Sequence, residues 1–262
     1  MSRTAKSKLT RFGFRPDAGG AHTARTIMLA ELTTLLDAVP GPDATLTEYT
    51  RAIVEENCLG KRSGKTRSLS LRHLVELYSL DSQDLVFRAL LYYWERDPAG
   101  RPLLALLCAV TRDQLLRESA PKILKTPQGT IFTTADMENF IEHKHPGRFS
   151  TATLTSAAQN LNSSWTKSGH LRGVMRKVRT SPRATAGAAA FALLLGFLSG
   201  ARGTRLFETE FFRLLECSSG CGFDLAEEAA NRGWMTLFRV GDVLEVHFHQ
   251  LLTPQEKEWL RE

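Results

Sequence analysis

Thr151, Thr155, Gln159, Asn162 and Thr166 recur at three- and four-residue spacing, which gathers their side chains on one face of a helix. All five carry short, uncharged groups that donate and accept hydrogen bonds. Amides of this kind can read base edges in a major groove without repelling phosphate. Lys167, Arg172, Arg176, Lys177 and Arg179 follow directly and are suited to holding phosphates. They lie in a 65-residue stretch between Glu142 and Glu208 that has ten Lys or Arg and no acid, within a chain of net charge +6. A positive field segregated in this way concentrates polyanions and releases counterions from them, so nucleic acid is the first partner to consider.

A second basic group stands at Gly60-Lys61-Arg62-Ser63-Gly64-Lys65-Thr66-Arg67, followed by Arg72. A helix expected over about 47–59 precedes it, and a helix with Leu71, Leu74, Val75 and Tyr78 on one stripe follows. Helix, basic turn, helix is the outline of a helix-turn-helix, although the turn exceeds the usual three or four residues. Lys61, Arg62, Lys65, Arg67 and Arg72 would then grip a backbone; the plainer alternative is a solvated loop between two core helices. The stretch lacks the Walker A glycine pattern and a preceding strand.

Other chemistry is weakly signalled. Cys217 and Cys221 with His247 and His249 offer two pairs of zinc ligands, but structural zinc sites have tighter spacing, so the cysteines read as small core residues and no metal or cofactor is expected. No nucleophile, base and acid constellation stands out, and acids avoid the basic region where a nuclease would need them. The expectation is a protein that is not an enzyme. Four scattered cysteines and no secretory signal point to a reducing cytoplasm. The uncharged run 184–201 has 18 residues, short of the roughly 20 apolar residues of a spanning helix, and reads as a buried helix without a membrane partner.

The elements that must position these residues are mostly helical, because 3.6-residue periodicity dominates and period-two runs appear only in the last third. The expected fold is mainly α with small β hairpins, in helix-turn-helix and winged-helix modules. Residues 1–20, with Arg3, Lys6, Lys8, Arg11 and Arg15 and ending in Ala18-Gly19-Gly20, read as a flexible basic arm. An N-terminal helical domain follows over 21–120. It has a helix from Thr23 to Val39 and two or three helices after Asp81, broken at Pro98-Ala99-Gly100, with Pro121 and Pro127 as the next boundary.

A winged-helix-like module is expected over 121–182. Its parts are a short strand at Thr130-Ile131-Phe132, a helix capped by Thr134, a turn at His145-Pro146-Gly147, and a helix with Ser150 as N-cap. Phe149 and Leu154 form its hydrophobic staple, Leu154, Ala157, Ala158, Leu161 and Trp165 its buried stripe, and 170–179 a basic wing. The last segment, 183–262, should hold an apolar helix, an amphipathic helix, a third helix capped by Asp224 and Glu227, and a hairpin about Val240-Gly241-Asp242. Asp224, Glu227, Glu228, Asp242 and Glu245 make it acidic, better suited to protein than to DNA.

Two segments carry a family likeness. Glu55-Glu56-Asn57-Cys58-Leu59-Gly60-Lys61-Arg62-Ser63 with Thr66-Arg67, and Phe149-Ser150-Thr151-Ala152-Thr153-Leu154 continuing through Gln159 to Leu171, resemble the BrxA family of bacteriophage-exclusion (BREX) defence systems. Chain size and helical order agree with that likeness. The resemblance implies a non-enzymatic accessory protein that binds double-stranded DNA through helix-turn-helix modules, beside other BREX proteins, in antiviral defence. Two alternatives stay open on the residues: an RNA-binding helical module, which the scarcity of aromatics in the basic run disfavours, and a scaffold for other defence components.

Overall fold

The computed structural model describes residues 3–17, 20–241 and 243–261. Ala18, Gly19 and Asp242, and with them parts of the expected arm and hairpin link, lie outside the described residues. The fold is mainly helical with two small antiparallel sheets. In chain order the first half runs α1 (Arg3–Thr10), α2 (Ala21–Ala24), α3 (Leu29–Ala38), α4 (Leu46–Thr50, continued as a π-helical segment Arg51–Glu55), α5 (Gly64–Tyr78), α6 (Leu85–Arg96), α7 (Arg101–Arg112) and α8 (Gln114–Lys125). The second half follows with β1 (Ile131–Phe132), α9 (Thr134–Lys144), α10 (Thr151–Lys167), β2 (Leu171–Arg172), β3 (Lys177–Arg179), α11 (Ala186–Leu198), α12 (Glu210–Arg213), α13 (Ser219–Asn231), β4 (Thr236–Val240), β5 (Val243–His247) and α14 (Pro254–Arg261).

The core is organised on α11. Its uncharged sequence is buried on every face, as a helix without a polar side must be. It packs on α6, α7, α12 and α13, so the segment after residue 183 supplies the central helix to the helices of the first half. Gly187 permits a close approach to the residue that caps the end of α6: its N–H donates to Asp97 Oδ2 at 2.9 Å, and a Cβ there would lie 2.5 Å from that oxygen. Thirteen residues do not cross a bilayer, and among the described residues no helix is long and apolar enough to do so.

Several expected elements differ in instructive ways. The single helix expected over 23–39 is two, because the backbone between them is taken by tertiary bonds: Ile27 N–H donates to Ser164 Oγ at 2.9 Å and Ile27 C=O accepts from Tyr78 Oη. Met28 consequently sits in the left-handed region at φ 48°. Pro121 is inside α8 rather than at a boundary. Thr133, not Thr134, caps α9, in a capping box with Asp136. Ser218 caps α13, leaving Asp224 and Glu227 within the helix, and α14 had no counterpart in the sequence reading. Where one amphipathic helix was expected after residue 202, a 3-10 turn, Gly203–Glu208, precedes the short α12.

The expected flexible arm is anchored over its described part. Leu9, Phe12 and Phe14 are buried, Phe12 C=O accepts from Val86 N–H at 3.0 Å, and Arg15 N–H donates to Thr111 C=O at 3.0 Å. Its basic residues suggested a tail, but three well-spaced apolar side chains gain more by entering the core.

Candidate nucleic-acid interface

Residues 113–180 form a continuous unit of α8, β1, α9, α10, β2 and β3. Its sheet has the order β1-β3-β2, all antiparallel, with Ile131 opposite Val178 and Arg172 opposite Val178 on the other side. α10 is the longest helix in the unit. Ser150 Oγ accepts from Thr153 N–H at 3.3 Å and starts it, with Phe149 and Leu154 half-buried on the core. Ala157, Ala158, Leu161 and Trp165 are buried, and Trp165 Nε1 donates to Ser119 Oγ at 2.9 Å, fixing α10 to α8.

The opposite face is less free than its spacing implied. Gln159 is exposed and, among the described residues, its side-chain amide makes no hydrogen bond within the chain. Thr155 Oγ1 donates to Glu138 Oε1 at 2.6 Å, so α9 lays a carboxylate beside a face whose own sequence has none. Asn162 is buried, its Nδ2 donating to Thr133 C=O at 3.2 Å across to α9. Of Thr155, Gln159 and Asn162 on that face, Gln159 projects freely; the other two hold α10 to α9.

The β2–β3 hairpin projects beyond α10. Its tip, Gly173-Val174-Met175-Arg176, leaves Val174 86% and Met175 97% exposed. Arg172 precedes the tip and Arg176 ends it; both are exposed, and among the described residues neither has an ion-pair partner. Gly173 is required at φ 112°, because a Cβ would meet Arg176 C=O at 2.2 Å. A cleft of about 430 Å3 separates the tip from the start of α9, with Gln159 and Arg176 among its lining.

Two basic residues of this segment turn inward. Lys177 Nζ donates to Thr166 Oγ1 at 3.1 Å and Gly173 C=O at 3.3 Å, and partial burial lowers its pKa. Arg179 was expected to clamp a phosphate. It is 2% exposed, donates to Ile123 C=O at 2.8 Å and His170 C=O at 3.2 Å, and pairs with Glu216. The strand alternation that points Arg172 outward points Arg179 to the core.

Beside it, His170 is fully enclosed. Its Nε2 meets Leu214 C=O and its Nδ1 meets Ser168 Oγ, both at 2.9 Å. Burial pushes its pKa down to about 3; the bond to Leu214 opposes the shift and the charge of Arg179 adds to it.

The first basic group divides likewise. Gly64 to Arg67 is the opening turn of α5, capped by Ser63, so the connecting turn is shorter than the sequence suggested. Arg62 and Lys65 are exposed and, among the described residues, unpaired; Arg72 is exposed and 3.7 Å from Glu76. Arg67 donates to Val54 C=O at 3.0 Å, satisfying a carbonyl at the end of the π segment.

Lys61 pairs with Glu31 at 3.1 Å, and Lys167, from the far end of α10, donates to Thr26 Oγ1 at 2.5 Å. Burial opposes charge on Glu31, but its own backbone bond and the two lysines outweigh that and lower its pKa. Burial also lowers the pKa of Lys167. The two basic segments, a hundred residues apart in sequence, are thereby drawn together about α3.

The structure also assembles a line of residues that sequence spacing could not reveal. Ser164 Oγ lies 2.8 Å from His22 Nε2, and His22 Nδ1 lies 3.1 Å from Asp113 Oδ2. All three are buried, and the Ser164 hydroxyl donates to Asn160 C=O at 2.9 Å while accepting from Ile27 N–H. A nucleophile would need that proton directed at the imidazole and an open approach. The line instead ties α2, α8 and α10 together; burial pushes the Asp113 pKa up, but the His22 charge and its hydrogen bonds prevail and lower it.

Among the described residues no three His, Cys, Asp or Glu side chains converge as a metal ligand set. Cys217 is half-buried, its thiol pushed up to about 11 by burial, and Cys221 is exposed. Compared with protein-family models and with curated proteins, the sequence gives no match.

Proposed function

We propose that the chain is a non-enzymatic protein that binds double-stranded DNA. In this reading residues 113–180 are a winged helix, with α9 and α10 as its helix-turn-helix and β2–β3 as the wing, and α4–α5 is a second helix-turn-helix-like unit. The observation that carries it is the β2–β3 tip: it bears two exposed, unpaired arginines, and one of them, Arg176, lines a cleft together with the exposed Gln159 of a capped helix. Arg62, Lys65, Arg172 and Arg176 supply phosphate contacts, Gln159 approaches bases, and Lys61, Arg67, Lys167, Lys177 and Arg179 hold the surface in shape. The likeness to the BrxA family supports placing this binding in a BREX defence system, alongside other BREX proteins.

Fluorescence anisotropy with a short duplex DNA and a matched RNA hairpin tests the reading. With four phosphates neutralised, the slope of log K against log salt is about −3.6, a loss of roughly a hundredfold between about 50 and 200 mM salt. Arg172→Glu with Arg176→Glu abolishes binding while the far-ultraviolet circular dichroism is retained. Undiminished binding by that variant sinks the proposal, and preference for the hairpin replaces duplex DNA with RNA.

A further inference from the structure

The last segment, read from sequence as acidic, carries a cleft of the opposite character. Arg202 follows α11, His247 ends β5, His249 comes just after it, and Lys257 and Arg261 are one turn apart on α14. They surround a cleft of about 300 Å3 in which, among the described residues, no carboxylate side chain is part of the lining. Of the two acids of α14, Glu256 pairs with Arg88 at 2.7 Å, and Glu258 is exposed and outside the lining of the cleft. Among the described residues no acid lies within ion-pair distance of Arg202, Lys257 or Arg261. Arg202 is spread over the Phe197 ring at 3.9 Å and donates to Phe197 C=O and Ala201 C=O, each at 2.7 Å. Three cations gathered without a counter-ion repel one another, and a bound anion relieves that cost.

A second cleft, of about 450 Å3, opens from the same three residues, Phe197, Arg202 and His247. Its chemistry differs: Leu206, Val243, Leu244 and Val246 line it, and Glu245, 3.5 Å from His247, is the one acid among its described lining residues. Flat surfaces stand at the junction, where the rings of His247 and His249 stack at 5.2 Å and 12°. Phe197 meets Phe248 edge-on at 5.8 Å. A cationic compartment joined through aromatic rings to an apolar one fits a ligand with a phosphate at one end and a flat ring system at the other.

We propose that this is a nucleotide-binding cleft, with Arg202, Lys257 and Arg261 on the phosphate and the base lying past Phe197 and His247 into the apolar compartment. The occupant is a free mononucleotide; the other source of the same chemistry is the backbone of a DNA strand. The inference does not depend on duplex binding at the β2–β3 tip.

Calorimetric titration of the full chain with AMP, adenosine and inorganic phosphate tests it. AMP binds about tenfold or more tightly than either fragment, and Arg202→Gln and Lys257→Gln each weaken it about tenfold with an unchanged melting temperature. Should Arg202→Gln fail to fold, Lys257→Gln on the surface of α14 carries the test. The Arg172→Glu, Arg176→Glu variant leaves AMP binding intact, separating this cleft from the DNA reading. The proposal is overturned if AMP binds no better than phosphate, or if the variants leave AMP affinity unchanged. Weakened duplex binding by them without AMP binding also overturns it and assigns the cleft to a DNA backbone.

Discussion

Arg176 and Arg179 are three residues apart, yet they do opposite work, and the difference is measurable. Arg179 and Glu216 form a largely buried pair in which the guanidinium also donates to Ile123 C=O and His170 C=O, while Glu216 Oε2 has no hydrogen-bond partner among the described residues. Arg179→Met strands Glu216, and urea unfolding should report a loss of about 3 kcal/mol. Arg176→Glu changes stability by no more than about 0.5 kcal/mol, so the two variants divide structure from binding. His170 adds a pH signature. Its folded pKa is about 3 against an ordinary value of 6.5. Between those limits the unfolded chain binds a proton that the folded one refuses, so stability falls as pH falls through this window. The contribution is about 1.4 kcal/mol per pH unit. Comparing urea midpoints at pH 7 and pH 5, His170→Asn should show a shallower decline than the parent. Sequence spacing singled out these basic residues but could not separate Arg179 from Arg172, because both suit a strand and only the sheet decides which face is covered.

At the scale of elements, the helix from Ser150 and the basic hairpin after it were legible, since a cap, a staple and an apolar stripe are local signals. The division of labour on the polar face of α10 was not. Thr155 and Asn162 are drawn inward by Glu138 and Thr133, which belong to the preceding helix and its cap. The tip between β2 and β3 depends on Gly173 at φ 112°. Gly173→Ala should disturb the tip at a cost of about 1–3 kcal/mol. In the anisotropy assay it should weaken DNA binding while circular dichroism reports the same helical content. Full DNA affinity in that variant would show that the tip conformation is unimportant to binding.

Over the whole molecule, the chain closes on itself: α1 and the segment after it enter the core, and the ring of Phe12 meets Trp259 of α14 at 5.9 Å. Phe12→Ala should therefore cost about 3–5 kcal/mol in urea unfolding, a loss that a free tail would not show. Composition and periodicity by themselves determined that this is a mainly helical chain with small hairpins, that its positive charge is segregated, and where its best-capped helix begins. Those are properties of neighbouring residues, and neighbours are what a sequence records. Tertiary structure alone decided which cations face solvent and that the N-terminal segment is part of the core. It also joined His22, Asp113 and Ser164 in one line and collected Arg202, Lys257 and Arg261 around a cleft with no acid among its described lining residues. Each of these depends on segments distant in sequence becoming adjacent, where burial and hydrogen-bond partners set what a side chain is free to do.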